Sequence, residues 1–126
     1  MTKQNQIYKC EVCGNIVEVL HIGAGELVCC GQPMKLMEEK IKDEGKEKHL
    51  PVIEKSSIIK IGEVEHPMNE NHFIEWIEIT TENEKKLKKF LKFDDKPQFD
   101  FNIKERIISV RCYCNIHGLW KYDVEK

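Results

Sequence analysis

Three stretches in the later part of the chain alternate apolar and polar residues with a period of two. They are Ser57–Val64 (SIIKIGEV), Phe73–Thr80 (FIEWIEIT) and Gln98–Ile103 (QFDFNI). β-Branched and aromatic residues at this period are typical of half-buried strands. Several short strands in succession indicate an antiparallel sandwich or barrel. The run Lys85–Lys92 (KKLKKFLK) also fits a short amphipathic helix, but its neighbours are β-prone, so we predict a strand there.

The first 37 residues form a smaller segment with its own pattern. Two β-prone runs, Ile16–Leu20 and Glu26–Val28, flank the turn signal Gly23-Ala24-Gly25, which predicts a small hairpin. A segment of this size is too short to build a sufficient hydrophobic core, and below about 40 residues a metal, disulfides or oligomerisation is usually needed. The segment contains four cysteines, so we expect a small domain that a metal bound to these thiols stabilises.

Between the two segments lies a charged stretch, Glu38–Lys48 (EEKIKDEGKEK), with almost no apolar residues. Such a composition is typical of a linker, and places a boundary near residues 36–45. The predicted organisation is an all-β chain with a small metal domain over residues 1–37 and a β-sandwich domain over residues 38–126, in which residues 38–46 are the linker.

Composition narrows the class of protein. The 126 residues allow one ordinary domain or two small ones, and 22 acidic against 20 basic residues leave a net charge of −2. Near-balance argues against a dedicated nucleic-acid binder. No apolar run exceeds four residues, and the N-terminal residues lack the apolar stretch of a signal peptide. We expect a soluble, cytoplasmic protein without a membrane segment.

Six cysteines and five histidines are the unusual part of the composition. Thiols stay reduced in the cytoplasm, so this inventory indicates metal ligation before it indicates disulfides. Four cysteines form two pairs, Cys10-x2-Cys13 and, fifteen residues on, Cys29-Cys30. Four thiolates make a closed site suited to zinc or iron. The adjacent second pair is unusual, because ordinary zinc ribbons use x2 spacing in both halves; a structural zinc site stays an alternative.

A second candidate site lies in the later segment. Its members are a cysteine and four histidines near predicted strand ends: His49, His66, His72, Cys114 and His117. Loops at one end of a sandwich can converge on one point. Five ligands exceed what zinc prefers, whereas four imidazoles and one thiolate suit five-coordinate iron with an open sixth position. Blue copper is the competing site, but no methionine follows His117 as that motif requires.

The motifs together resemble the desulfoferrodoxin family, the two-iron superoxide reductases, over essentially the whole chain. Tyr8–Gly14 (YKCEVCG) and Cys29-Cys30-Gly31 resemble its desulforedoxin part. The rest resembles its catalytic domain in five motifs: Glu47–Lys55 (EKHLPVIEK), His66-Pro67-Met68, His72–Ile77 (HFIEWI), Lys89–Lys92 (KFLK) and Tyr113–Trp120 (YCNIHGLW).

The resemblance implies two non-haem iron ions per chain. An FeS4 centre would use Cys10, Cys13, Cys29 and Cys30, and a second iron would be held equatorially by His49, His66, His72 and His117 with Cys114 axial. It also implies a desulforedoxin-like domain followed by an immunoglobulin-like antiparallel β-sandwich, and a homodimer. The implied activity is the one-electron reduction of superoxide to hydrogen peroxide, with an external donor such as rubredoxin.

Two further residues match a loop of the family, which implies catalytic roles for them. Lys48 would attract the anionic substrate and help to deliver a proton, and Glu47 would ligate the ferric iron at rest. A cation beside an open metal site raises the local concentration of a small anion even when the net charge is negative. The alternative is that both residues belong to a solvated charge run.

Two rival functions and one departure from the family pattern stay open. A one-electron carrier would have redox-active metal but no open coordination position, and a zinc-ribbon adaptor would have no use for the histidines. Cys112 lies two residues before Cys114, so on a strand the two side chains share a face. We expect Cys112 to be a small buried or half-buried thiol, and competition for the metal or a redox role stays possible.

Overall fold

The computed structural model describes residues 1–42, 49–55, 57–62 and 65–124. These residues contain twelve β-strands and no helix, so the all-β prediction is confirmed. The chain divides into two compact units, Met1–Glu38 and Glu39–Lys126. In the described ranges, no helix has the length and apolarity needed to cross a bilayer.

The first unit consists of short strands around a very small core. β1 (Ile7–Lys9), β2 (Ile16–Glu18) and β5 (Lys35–Leu36) form an antiparallel sheet in the order β2-β1-β5. β3 (Val28–Cys29) and β4 (Gln32–Pro33) form a separate two-stranded ribbon. Ile7, Cys10 and Val19 are its buried apolar side chains among the described residues. So little apolar burial agrees with the expectation that the unit needs a bound metal to stabilise its fold.

The hairpin predicted around Gly23–Gly25 is wrong. β2 pairs with β1, and β3 pairs with β4, so the two β-prone runs are not partners. The turns that do reverse the chain carry the cysteines, and each contains a glycine at positive φ: Gly14 at 85° and Gly31 at 74°. Only glycine adopts this conformation without steric cost. The cysteine-bearing turns therefore fix the strand pairing.

The second unit contains two antiparallel sheets. β6 (Pro51–Ile53), β7 (Ile58–Ile61) and β10 (Gln98–Asp100) form one, in the order β10-β7-β6. β8 (Ile74–Thr81), β9 (Lys86–Phe90), β11 (Ile107–Cys114) and β12 (Gly118–Asp123) form the other, in the order β12-β11-β8-β9.

Most of the predicted strands appear in these sheets. Phe73–Thr80 corresponds to β8, and Lys85–Lys92 forms the strand β9, as predicted. Ser57–Val64 contains β7, but its last two residues lie outside the described ranges. Gln98–Ile103 ends early, because β10 stops at Asp100 and Asn102 has a left-handed φ of 52°.

A single apolar cluster joins the two sheets. Ile59 and Ile61 of the three-stranded sheet and Ile77, Ile79 and Val110 of the four-stranded sheet are fully buried in it. Two sheets that share one core form a β-sandwich, as predicted. Cys112 and Cys114 also lie in this cluster, so β11 carries both thiols on its core face.

Candidate metal centres

The first cysteine pair lies in the tight turn between β1 and β2. The amide of Cys10 donates to the carbonyl of Asn15 at 2.8 Å, and the amide of Gly14 donates to the carbonyl of Cys10 at 2.9 Å. Within this turn the amide of Cys13 points at the Cys10 sulfur, 3.4 Å away. The turn thus brings both thiols of the x2 pair to one side.

The second cysteine pair, Cys29 and Cys30, consists of adjacent residues that must still direct both sulfurs to one ion. Cys29 ends the strand β3, whereas Cys30 has a left-handed φ of 52°, which is uncommon for any residue other than glycine. The change of backbone conformation between the two residues places their sulfurs 4.0 Å apart. Adjacent cysteines can therefore face the same point despite their spacing in the sequence.

The spacing of the four sulfurs fits a bound ion. All four lie within 4.8 Å of one another, and the Cys13 and Cys29 sulfurs are 3.6 Å apart. A disulfide would require about 2.0 Å. A tetrahedral ion about 2.3 Å from each sulfur would place neighbouring sulfurs about 3.8 Å apart. The four-cysteine site is thus able to hold iron.

The pKa values of the four clustered thiols also favour a bound cation. The hydrogen bond from the Cys13 amide lowers the pKa of Cys10 to about 6. Hydrogen bonding to the Cys13 and Cys10 thiols raises the pKa of Cys30 to about 12. Sulfurs this close cannot all ionise by themselves, because each new negative charge opposes the next. A bound cation removes that conflict, since it stabilises every thiolate at once.

The second cluster gathers side chains from separate parts of the sandwich. His49 precedes β6, His66 follows β7, and His72 precedes β8. Cys114 is the last residue of β11, and His117 lies in the turn that leads into β12. Gly118 has a φ of 88°, so the chain reverses directly after His117. The structure brings all five predicted side chains together.

The four imidazoles form a closed ring. Ring centroids of successive neighbours in the order His49, His66, His72, His117 are 4.8, 4.8, 5.0 and 4.7 Å apart. Their interplanar angles are between 65° and 79°. Nearly equal edges place the four imidazoles around one common point. The imidazole nitrogens of His49 and His117 approach to 3.1 Å.

A buried thiol lies against this ring. The Cys114 sulfur and one nitrogen each of His49, His66 and His72 lie within 4.8 Å of one another, which forms a His3Cys site able to hold iron. The same sulfur lies 3.8 Å from Nδ1 of His117. Burial raises the pKa of the Cys114 thiol, while the backbone amides of His117 and Ile116 act in the opposite direction.

His66 provides an independent test of fit. Its Nδ1 lies 2.7 Å from the carbonyl oxygen of Pro67, and because a carbonyl only accepts, Nδ1 carries the proton. Its Nε2 is buried without a hydrogen-bond partner among the described residues. Burial lowers the pKa of His66 to about 4, so the ring is neutral at physiological pH. An inward lone pair on a ring whose other nitrogen is fixed by a carbonyl is typical of a metal ligand.

Asn115 holds two of the ligand-bearing segments together. Its Oδ1 accepts a hydrogen bond from the amide of Phe73 at 2.9 Å, and its Nδ2 donates to the carbonyl of Asn71 at 3.0 Å. The side chain thereby joins the residues on both sides of His72 to the turn that carries Cys114 and His117. Its place inside the Cys-Asn-x-His motif is the signal that could have predicted this role.

Sequence reasoning did not predict a role for Trp120. Its indole stacks on the imidazole of His49, with centroids 4.5 Å apart. Cys112 is fully buried, as expected, and its sulfur lies 3.3 Å from the carbonyl oxygen of His49. Glu47 and Lys48, the two predicted catalytic residues, lie outside the described residues.

Comparison with known proteins gives matches over both units. The family model for the desulfoferrodoxin N-terminal domain matches residues 2–37, and the desulfoferrodoxin family model matches residues 41–123. A desulfoferrodoxin homolog from Archaeoglobus fulgidus is 56% identical over 124 residues, which cover 96% of this chain and 98% of the relative.

Solved structures of other proteins have a fold similar to that of this chain. A superoxide reductase from Treponema pallidum superposes with a TM-score of 0.75 at 22% identity, over 94% of this chain and 97% of that one. A one-iron superoxide reductase from Giardia intestinalis gives a TM-score of 0.52 at 27% identity, over 64% of this chain and all of that one. Sequence and fold together show that the chain belongs to the desulfoferrodoxin family.

Proposed function

We propose that the protein is a superoxide reductase, an oxidoreductase that reduces superoxide without dismutating it. The observation that carries this proposal is the ring of four imidazoles closed around one point, with the buried Cys114 thiol against it. Solved structures of similar fold include two superoxide reductases, which match 94% and 64% of this chain. The family membership shown above supports the same activity.

In this proposal His49, His66, His72 and His117 hold the second iron together with Cys114. Iron held there would supply one electron to each superoxide, which takes up two protons and leaves as hydrogen peroxide. The ring of His66 is neutral, and the Cys114 sulfur, which would be the negatively charged ligand of the bound ion, accepts a hydrogen bond from the backbone amide of His117 at 3.5 Å.

Two residues outside the described ranges complete the proposal. Lys48 would attract the anionic substrate and aid proton delivery, and Glu47 would occupy the open position at rest. Glu47 and Lys48 directly precede His49 in the sequence, which supports a location of both residues near the site. The anion would be drawn by local charge rather than by the net charge of −2.

The remaining parts of the proposal concern organisation and partners. We propose that residues 1–37 form the desulforedoxin-like FeS4 domain and residues 38–126 the catalytic domain, with residues 38–46 as the linker. An external donor such as rubredoxin would return the electron after each turnover. We further propose that the protein acts in the cytoplasm as a homodimer and detoxifies superoxide.

The proposal is tested with protein purified without oxygen. Two iron ions per chain and a thiolate-to-iron charge-transfer spectrum are expected. Ferrous protein mixed with pulsed superoxide should be oxidised rapidly, with one peroxide formed per iron oxidised. Protein that holds only zinc, or ferrous protein that superoxide leaves unoxidised, would contradict the proposal; the latter result with two redox-active irons would favour the electron carrier.

A further inference from the structure

Lys40, near the start of the second unit, is attached to strand β12 by its backbone. The amide of Lys40 donates to the carbonyl of Leu119 at 2.9 Å, and the amide of Lys121 donates to the carbonyl of Lys40 at 2.8 Å. Lys40 and Trp120 therefore form a parallel bridge at the edge strand β12. Although the segment was predicted to be a linker, Lys40 is fixed to the sandwich.

The side chain of Lys40 is also fixed, and it reaches the ligand turn. Its Nζ donates to the carbonyl oxygen of His117 at 2.8 Å. The same nitrogen lies 5.3 Å from the centroid of the Trp120 ring. A hydrogen bond from a charged group is stronger than one from a neutral group, and a cation near an aromatic face adds attraction.

These contacts connect Lys40 with two imidazoles on neighbouring corners of the ring. It bonds the backbone of His117 directly, and it contacts Trp120, whose indole stacks on His49 at an interplanar angle of 10°. His49 and His117 approach each other to 3.1 Å between ring nitrogens. Both rings are thus connected to one ammonium group.

We propose that Lys40 is a positioning residue of the second metal centre, which holds the His117 backbone and the Trp120–His49 stack in place and adds a fixed positive charge beside the ligands. The inference rests on the proposed function only for the identity of the ion. The ammonium donates to the carbonyl of His117, and the amide of the same residue lies 3.5 Å from the Cys114 sulfur, so the positive charge lies beside the turn that carries both ligands. Because Lys40 is exposed, water screens part of this charge.

The test is the reduction potential of the second iron in anaerobic holoprotein, measured together with its thiolate-to-iron charge-transfer band. A nearby cation favours the reduced, less positive centre, so Lys40→Met should lower the potential and shift the band. Lys40→Arg keeps the charge and the donor, and should restore both. Lys42→Met removes the same charge from an exposed residue of the same segment and should change neither.

A Lys40→Met potential equal to that of Lys42→Met would overturn the inference, as would failure of Lys40→Arg to restore the potential and the band. If Lys40→Met does not retain the second iron, Lys40→Gln, which keeps a donor without the charge, is judged by the same criteria. Neither readout depends on superoxide. A wild-type protein that holds iron but does not react with superoxide would therefore refute the proposed function. The role of Lys40 would still be decided by the reduction potential and the charge-transfer band.

Discussion

The indole of Trp120 lies parallel to the imidazole of His49, with centroids 4.5 Å apart and an interplanar angle of 10°. Trp120 is also the register partner of Cys112 across the β11–β12 pair, and the Cys112 sulfur lies 3.3 Å from the His49 carbonyl oxygen. One pair of opposed residues in the sheet therefore contacts both the ring and the backbone of a candidate ligand.

This relationship predicts that Trp120→Leu weakens metal binding at the second site. An aromatic pair contributes about 0.5–1.5 kcal/mol beyond its buried area. Loss of the stack frees the His49 ring, so Co²⁺ should bind the second site about two- to twelvefold more weakly. The measurement is optical titration of metal-free protein with Co²⁺, in which the two sites are distinguished by their ligand spectra.

Trp76→Leu is the matched control for this variant. Trp76 is as buried as Trp120, at 6% exposure, but it stacks on Tyr113 instead of a histidine. Both substitutions should lower the free energy of unfolding, and only Trp120→Leu should weaken Co²⁺ binding. Equal loss of affinity in the two variants would mean that general destabilisation, and not the stack, controls the site.

Asn115→Ala is expected to loosen the site through the backbone. The substitution removes the acceptor of the Phe73 amide and the donor to the Asn71 carbonyl. The bond to the Phe73 amide is partly buried, and a donor of this kind left without a partner costs about 1–3 kcal/mol in the free energy of unfolding. Urea denaturation measures that cost, and Co²⁺ titration should show weaker binding because His72 lies between the two released residues. Asn83→Ala, in an exposed turn, should change neither quantity.

Metal-free protein should lose stability in mild acid because of His66. Its folded pKa is about 4, below the ordinary histidine value of about 6.5, so the unfolded chain binds more protons between these values. The contribution of His66 to the free energy of unfolding is fully present above about pH 6.5. It declines by about 3 kcal/mol as the pH falls toward about 4. Urea denaturation between pH 7 and 4 measures the decline. His66→Asn should reduce the dependence on pH, and His21→Asn, an exposed residue of the first unit, should leave it unchanged.

Replacement of Lys48 tests electrostatic capture of the substrate. Lys48→Met should slow oxidation of the ferrous protein by superoxide several-fold, up to about tenfold, and should weaken the dependence of the rate on ionic strength. Pulsed superoxide at several salt concentrations gives both quantities. Lys104→Met changes the net charge equally at an exposed position and serves as the control. An identical salt slope in wild type and Lys48→Met would exclude the steering role.

Residue types and spacing were sufficient to predict the architecture and to nominate both ligand clusters. The period of two in Phe73–Thr80 predicts β8 because one face of that strand packs into the core. The Cys10-x2-Cys13 pair was recognisable because a single tight turn brings its thiols together. These features are local, so the sequence expresses them directly.

The features that were missed depend on contacts distant in the sequence or on unusual backbone conformation. Gly23–Gly25 looked like a hairpin turn, whereas Gly14 and Gly31 occupy the turns that pair the strands. The Trp120–His49 stack joins residues from opposite ends of the second unit, and no local pattern encodes it. Lys40 looked like one more charge in a polar run, because its bonds to β12 are tertiary contacts.

The turn between β11 and β12 has a consequence for protein engineering. Most β-hairpin loops accept extra residues, since the strands on either side fix the ends and the loop itself touches little. Here Cys114 and His117 occupy the connection itself, and Asn115 bonds across to another segment, so even one inserted residue would displace a ligand candidate. The exposed turn between β8 and β9, around Glu84, carries no such residue and is the better place to insert a tag or an affinity loop.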